Sequence, residues 1–359
     1  MADAAPMEAA GGSPDVAVPA GTLAWLQSPE NPAVAVMTRR ELLGERATQD
    51  SDALWARRNE YAPVAAILAE LPALLAARTR DYQKYRGPLW QVHFLGELWA
   101  DARDPRLQGL AEYAFSRQLE DGAWSVSGGG EGAIPCLTAN VGRALARMGW
   151  ARDERVVRAL GQVAGIVAEH GALVCPPGGT RTLNGYCHML APKLLLFLAE
   201  VPRELWPDGA ELMRDECGRV LRAREVFRCL PAGSRAFLDL VGKAKAAQVP
   251  AMREQWLAEH GPREYAEKPG WLRFGFPLSY NSDVLEALDA LAGAGERWRP
   301  EYAPALEVVR DASDGEMRWK MRNSFNGKMV ADVEKRGQPS RWLTLRALRV
   351  LKALALAAG

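Results

Sequence analysis

The spacing of apolar residues constrains this chain more than any other feature. In LWQVHFLGELWADA, CLTANVGRALARMGW, KLLLFLAEVP, DVLEALDALAGAG and WLTLRALRVLKALALAA they return every three or four positions, the period of one face of an α-helix. Strand-like alternation is hard to find after about residue 35. An all-α chain follows.

The helices also repeat. LGELWADARDPRLQGLAEYAFSRQLEDGAW resembles RALARMGWARDERVVRALGQVAGIVAEHGALVC about fifty residues later. Each reads as a helix end, an Asp-containing turn, a second amphipathic helix and a glycine-marked loop. Further copies start near Cys187 and Tyr280, with a half-copy near Trp342. Helices around 38–46 and 51–80 bring the total to roughly six helix pairs. Asp121-Gly122, Asp314-Gly315 and Gly337-Gln338-Pro339 are turn signals between copies. Residues 1–21, rich in Ala, Gly and Pro, read as a flexible leader, and 22–359 as one domain with an irregular insertion around 230–276.

Hydrophobic residues make up 48% of the chain and charged residues 25%, a balance that excludes overall disorder. A formal net charge of +1 offers no broad field for nucleic acid. No stretch of about eighteen uninterrupted apolar residues is present, so no transmembrane segment is expected. Five cysteines are too few, and odd in number, for a secreted disulfide scaffold; a cytoplasmic protein with thiols or a thiolate-bound metal fits better.

QLEDGAW (118–124) and SDGEMRW (313–319) resemble degenerate forms of the Q-x-x-x-D-G-x-W repeat of squalene and oxidosqualene cyclases. KYRGPLW, IPCLTAN, GFPLSYNSDVLEAL and GQPSRWLTLRALRVLK resemble bacterial prenyltransferase/squalene-oxidase-repeat proteins. The resemblance covers most of 85–359. It implies an (α/α)6 toroid of the terpenoid cyclase/prenyltransferase type, with inner helices around a central cavity. It further implies a cyclization or transfer reaction on a small, hydrophobic or amphipathic substrate. The D-x-D-D acid motif of squalene-hopene cyclases, the D-D-x-x-D diphosphate motif and the C-G-E-Q thioester are all missing from the sequence, which disfavours those particular chemistries.

Aligning the repeats puts Cys136 and Cys187 at one position, with Tyr280 at the matching place in a later copy. All three are expected near the starts of inner helices. Cys175 ends the glycine loop between the two cysteine-bearing helices, and His188 follows Cys187. Thiolates and imidazole suit the tetrahedral preference of Zn2+. The arrangement resembles lanthionine cyclases, whose zinc is held by one cysteine and an adjacent Cys-His pair; that resemblance implies Cys136 as the first ligand and Cys187 with His188 as the pair. Cys175 is additional. With it the site is closed and structural; without it a water or substrate completes the metal. Buried cysteines packing as small apolar residues are the alternative, and Cys217 and Cys229 are read that way or as surface thiols.

Trp90 and His93 share a helix face, which makes His93 a candidate acid or base or else a hydrogen-bonded core residue. Tyr280 and Asp283 share another face, and Asp283 is a candidate base or a helix N-terminal carboxylate. Trp90, Trp124, Asn140, Trp319 and Trp342 are candidate pocket residues, with repeat packing as the competing role. Lys84, Arg86, Arg181, Lys193, Arg273, Arg341 and Arg346 fall near loops or inner-helix starts and are candidates for an anion site, Arg273 foremost. The basic run RWKMRNSFNGK (318–328) has the same potential, although no phosphate loop accompanies it. H-E-x-x-H and G-x-S-x-G are missing as well. Three readings follow: a zinc-dependent cyclase or transferase; a non-catalytic toroid with structural zinc; and a metal-free prenyl-diphosphate enzyme, marked by basic residues converging at a cavity mouth.

Overall fold

The computed structural model describes residues 17–77, 81–171, 173, 187–229, 240, 248–260 and 266–354. The chain is all-α. In order, the helices are α1 (Ala20–Leu26), α2 (Pro32–Met37, continuing into a π-helical turn Thr38–Leu42), α3 (Gln49–Ala56), α4 (Ala62–Ala76), α5 (Pro88–Glu97), α6 (Pro105–Ser116) and α7 (Pro135–Leu145). They continue as α8 (Glu154–His170), α9 (Leu190–Glu200), α10 (Ala210–Arg222), α11 (Val249–His260), α12 (Val284–Gly293), α13 (Ala303–Asp311) and α14 (Arg341–Leu354). A two-residue antiparallel pairing joins Arg228 to Glu267 and Cys229 to Ala266.

Two layers form, and the sequence separates them. Every residue of α5 is buried, as are most of α7, α9, α12 and α14. A helix surrounded by protein on all sides needs neighbours on all sides. Accordingly α5 packs on α7, α7 on α9, α9 on α12, α12 on α14, and α14 on the Thr38–Leu42 turn. The amphipathic helices α6, α8, α10 and α13 lie against α5, α7, α9 and α12 respectively. Close approach of the buried helices depends on glycine. A Cβ on Gly96 would sit 2.4 Å from the Ala144 backbone, and one on Gly142 would sit 2.4 Å from the Phe197 ring.

The sequence repeat has a physical counterpart at its two tryptophans. Trp124 and Trp319 are fully buried, and each donates its indole N–H to a carbonyl of the preceding outer helix, Ala114 at 2.8 Å and Val309 at 2.7 Å. Each backbone N–H bonds the threonine hydroxyl at the fourth position of the next buried helix, Thr138 at 3.1 Å and Thr344 at 3.0 Å. Both tryptophans therefore pin an outer helix to the following buried one, which is the packing alternative to lining a substrate pocket.

The first and last described helices also meet. Thr22 donates to the Glu316 carbonyl at 2.6 Å, and Trp25 lies between the Arg318 and Arg341 guanidiniums, 5.0 and 5.2 Å from its ring. Ala20 and Gly21, expected in the leader, already belong to α1. The helix expected over 51–80 is broken into α3 and α4, and Pro63 starts the second. Residues 271–276, expected at the end of an insertion, contribute Trp271, Phe274 and Phe276 to the core.

Lys193 of α9 places its Nζ 2.6 Å from both Glu286 oxygens of α12, and both side chains are 1% exposed. Lys193, a candidate anion ligand by sequence, is thus committed to a buried ion pair. Removing one member of such a pair strands the other charge. Lys193→Met is expected to lower unfolding free energy by about 3–5 kcal/mol, and Lys193→Met/Glu286→Leu to recover most of that loss, measured by urea denaturation.

Candidate functional site

Residues 271–283 run among the buried helices and touch four of them. Phe276 stacks on Trp342 of α14 with ring centroids 4.8 Å apart. The Leu278 carbonyl lies 2.6 Å from Nε2 of His93 on α5, and the Ser279 carbonyl accepts from Nδ2 of Asn140 on α7 at 3.3 Å. Ser282 donates to the Met189 carbonyl just before α9. Asp283 is the N-cap of α12, with its oxygens accepting from Glu286 N at 2.7 Å and Gly275 N at 2.9 Å. Burial, followed by the Glu286 charge, pushes its carboxyl up to about 7 against those two N–H groups.

His93, Asn140 and Asp283 thus direct their polar atoms at the backbone of 275–286 and fix its path. Burial drives the His93 imidazole down to about 4, with Glu97 opposing. It is neutral at pH 7 and donates from Nε2 to Leu278. Trp90 sits among Tyr82, Tyr85, Phe94, Tyr280 and Phe325 at centroid distances of 4.9–6.3 Å. Burial and the neighbouring Tyr82 phenol hold Tyr280 well above the usual tyrosine range. Cys136, the second residue of α7, lies within electrostatic reach of both phenols.

Below this cluster the buried helices exchange charge. Glu97 of α5 bonds Arg143 of α7 and lies 3.8 Å from Arg147 and 3.5 Å from Arg346 of α14. Burial raises its carboxyl, but these guanidiniums outweigh burial and hold it far below the usual carboxylate range. Arg147 continues to Glu200 at 2.7 Å, Arg346 to Asp289 at 3.3 Å, and Arg349 joins Asp289 at 2.6 Å to Glu41 at 3.0 Å. Arg346, an anion candidate by sequence, is occupied here, and Arg341 pairs with Glu30 at 2.7 Å. Lys84 lies over the Tyr85 ring at 5.2 Å, and Arg181 is outside the described residues.

Arg273 has a different setting. A cleft of about 220 Å3 is lined by Lys268, Arg273, Arg322 and Arg336, together with Asn281, Ser282 and Asn323. No carboxylate lines it. Among the described residues none of the four cations is ion-paired, while Arg273, Arg322 and Arg336 are exposed. The cleft is assembled by two backbone contacts: the Phe274 carbonyl accepts from Arg322 N and Asn323 N at 2.9 and 3.0 Å, and Gly275 bridges to Asn323. A side chain at Gly275 would place its Cβ 2.8 Å from the Asn323 carbonyl oxygen, so glycine permits the approach. Two residues beyond Asn323 stands Phe325 of the aromatic cluster, and beside Asn281 stands Tyr280, so the two share chain segments although neither ring lines the cleft. Of this set the sequence indicated Arg273 and Arg322; Lys268, Asn281, Ser282 and Arg336 carried no local signal.

The expected zinc ligands are distributed differently. His188 packs on Trp271 in a tilted arrangement with centroids 4.4 Å apart and places Nε2 2.8 Å from the Val226 carbonyl. Its Nδ1 is buried without a hydrogen-bond partner. Cys187, three residues before α9, bonds the Leu173 carbonyl through its N–H. Cys175 lies outside the described residues. Among the described residues no three of His, Cys, Asp and Glu come together to hold a metal, so Cys136, Cys187 and His188 do not form a ligand set by themselves. Cys217 is buried in α10, where desolvation raises its thiol. No helix among the described residues is long and apolar enough to cross a membrane.

No protein-family model matches the chain, and no curated protein matches it. The chemistry of its own clefts therefore carries the functional argument.

Both buried histidines make stability depend on pH. His188 is driven down to about 3, by burial first and then by Arg224. Each imidazole stays neutral when folded but takes a proton in the unfolded chain below about pH 6.5, so stability is full above that pH and is lost as pH falls toward the folded values. Between pH 7 and pH 5 the loss is expected to be about 2 kcal/mol for each histidine. Asp283, pushed up to about 7, works in the opposite sense over this range, so urea denaturation at the two pH values checks the histidine by difference: His93→Gln is expected to lose about 2 kcal/mol less than wild type between pH 7 and pH 5.

Proposed function

We propose that the protein binds an anionic, amphipathic small molecule of the isoprenoid diphosphate class, without a metal, at the cleft of Lys268, Arg273, Arg322 and Arg336. The observation that carries this reading is the convergence of four cations, none ion-paired among the described residues, around one cleft without a lining carboxylate. Elsewhere guanidiniums are widely matched to acids, so the imbalance is local. The N-termini of α9 and α12 add partial positive charge, since Met189 and Ser282 lie at those ends and line the same cleft. Three arginines can bind a diphosphate bidentately. The same charges would stabilise diphosphate as a leaving group in a transfer or cyclization step. The rings of Tyr280 and Phe325, on the same chain segments as Asn281 and Asn323, would offer an apolar surface for the hydrocarbon part. The order of contacts from α5 through α14 to the Thr38–Leu42 turn supports the (α/α)6 toroid implied by the sequence resemblance.

A structural zinc is the second reading. Its support is the unbonded Nδ1 of His188, whose Nε2 is tied to a backbone carbonyl as in metal-ligating histidines. Cys136, Cys175 and Cys187 are the thiolate ligands that the sequence offers for it, Cys175 lying outside the described residues. Elemental analysis of protein purified without chelators is expected to find stoichiometric zinc, lost in Cys187→Ala; metal-free protein that also fails to take up zinc would exclude it.

Titration calorimetry tests the leading reading. Pyrophosphate and geranyl diphosphate are expected to bind, geraniol much less, and Arg273→Ala and Arg322→Ala each to weaken binding about tenfold, or about 1.4 kcal/mol. Affinity should fall with added salt. Wild-type protein that ignores both diphosphates, or variants that bind them equally well, would refute the proposal.

A further inference from the structure

The loops that lead into α5, α12 and α14 meet at one end of the buried layer. Tyr85, three residues before α5, lies 5.1 Å from Phe325 of the loop before α14, and that loop is joined to the one before α12 through Asn323 and Phe274. Met189, which lines the basic cleft, immediately precedes α9. Four buried helices therefore begin at this end, and their N-termini add partial positive charge there.

The same loops carry unmatched cations. Besides the four of the cleft, Lys84, Arg86, Lys320, Lys328 and Lys335 are exposed, and none of these five is ion-paired among the described residues. Trp319 and Met321 are buried, so the alternating Lys320 and Arg322 face outward. Lys84 and Lys328 both lie against Tyr85, with ammonium nitrogens 5.2 and 5.6 Å from its ring centre. The neighbouring acids are engaged elsewhere: Asp332 and Glu334 accept from the N–H groups of Gly327 and Arg341 at 2.7 and 2.9 Å, and Asp81 takes the Tyr113 hydroxyl and faces Arg117. Glu267 remains exposed beside Lys268. At the far end of the layer, by contrast, Glu41, Glu200 and Asp289 are matched by Arg147 and Arg349. In a chain of net charge +1 the positive end is a product of arrangement and not of composition.

We propose that this end of the molecule docks electrostatically on an anionic phospholipid surface. Cationic heads drawn from three separate loops make a two-dimensional field, which matches a plane of lipid phosphates; a nucleic-acid strand is followed by cations set along a groove. A protein partner needs apolar anchors, and the exposed large hydrophobic residues among the described ones, Leu43, Leu212 and Leu240, lie on none of these loops. Tyr85, half-buried between two lysines, is a ring of the kind that sits at headgroup level. Each surface cation contributes about fivefold to partitioning onto such a surface, and the attraction falls with added salt. Docking turns the cleft toward the bilayer, but the five charges outside the cleft do not depend on what the cleft binds.

Sedimentation with lipid vesicles tests the proposal. Wild-type protein is expected to bind mixed phosphatidylserine–phosphatidylcholine vesicles at low salt, to leave them as salt is raised, and to ignore pure phosphatidylcholine. Lys84→Gln/Lys328→Gln is expected to weaken vesicle binding about thirtyfold, with its pyrophosphate titration like that of wild type. Lys320→Gln/Lys335→Gln, with the same expected loss, serves should the first variant not fold. Vesicle binding with this pattern by a protein that ignores pyrophosphate upholds the docking surface and rejects only the diphosphate reading of the cleft. No binding to the mixed vesicles, equal binding to pure phosphatidylcholine, undiminished binding by a folded double variant, or tighter binding of an oligonucleotide than of vesicles at equal phosphate would each overturn the proposal.

Discussion

Everything else in the molecule is arranged around charge buried where helices meet. Glu41, Arg349, Asp289, Arg346, Glu97, Arg143, Arg147 and Glu200 form one connected series of ion pairs across the Thr38–Leu42 turn, α14, α12, α5, α7 and α9. A fully apolar interface among these helices would tolerate sliding by a turn, because one leucine serves much like another. An acid that must face its own arginine does not. The series therefore fixes the relative heights of the buried helices, and the glycine contacts at Gly96 and Gly142 fix their separation. Because each charge is matched inside the helical layer, unmatched charge is left to its ends, and the basic cleft is built from loops.

The segment 271–283 converts that scaffold into a site. It is tied to α5 by His93, to α7 by Asn140 and to α12 by the Asp283 cap. Three helices thereby decide where Arg273, Asn281 and Ser282 stand. The facing loop is registered against it by the Phe274 carbonyl, which places Arg322 and Arg336 opposite. Rigid support of this kind lowers the ordering cost of binding. It also explains why residues that look catalytic by type, His93 and Asp283, make their hydrogen bonds to backbone groups.

How much of this was legible in the sequence follows from the range of each interaction. The buried helices were visible because their apolar period is local, and the repeat was visible because Trp124 and Trp319 perform the same hydrogen bonding in two copies. Glu97 and Arg143 carry no motif, yet each is a charged residue in a helix buried nearly throughout, which is itself a sign of a buried partner. The cleft was legible only in part. Arg273 and the run 318–328 were marked, but Lys268 and Arg336 reach the same space from separate loops, and no spacing rule predicts that convergence. Cys136 is the second residue of α7 whereas Cys187 stands three residues before α9, and His188 turns to Trp271 and Val226, because an adjacent residue on a loop need not share its neighbour's direction.

The meeting of α1 with α14 bears on how the molecule comes into being. Trp25 waits for Arg318 and Arg341, groups about three hundred residues away along the chain. During translation the first helix leaves the ribosome long before its partner exists. The buried helices can add to one another in the order of synthesis, since each packs on the next. The α1 contact, like that of Glu41 with Arg349, forms only when the end of the chain is present and closes a long loop. Until then an incomplete chain keeps an open flank, which is where a chaperone would find it.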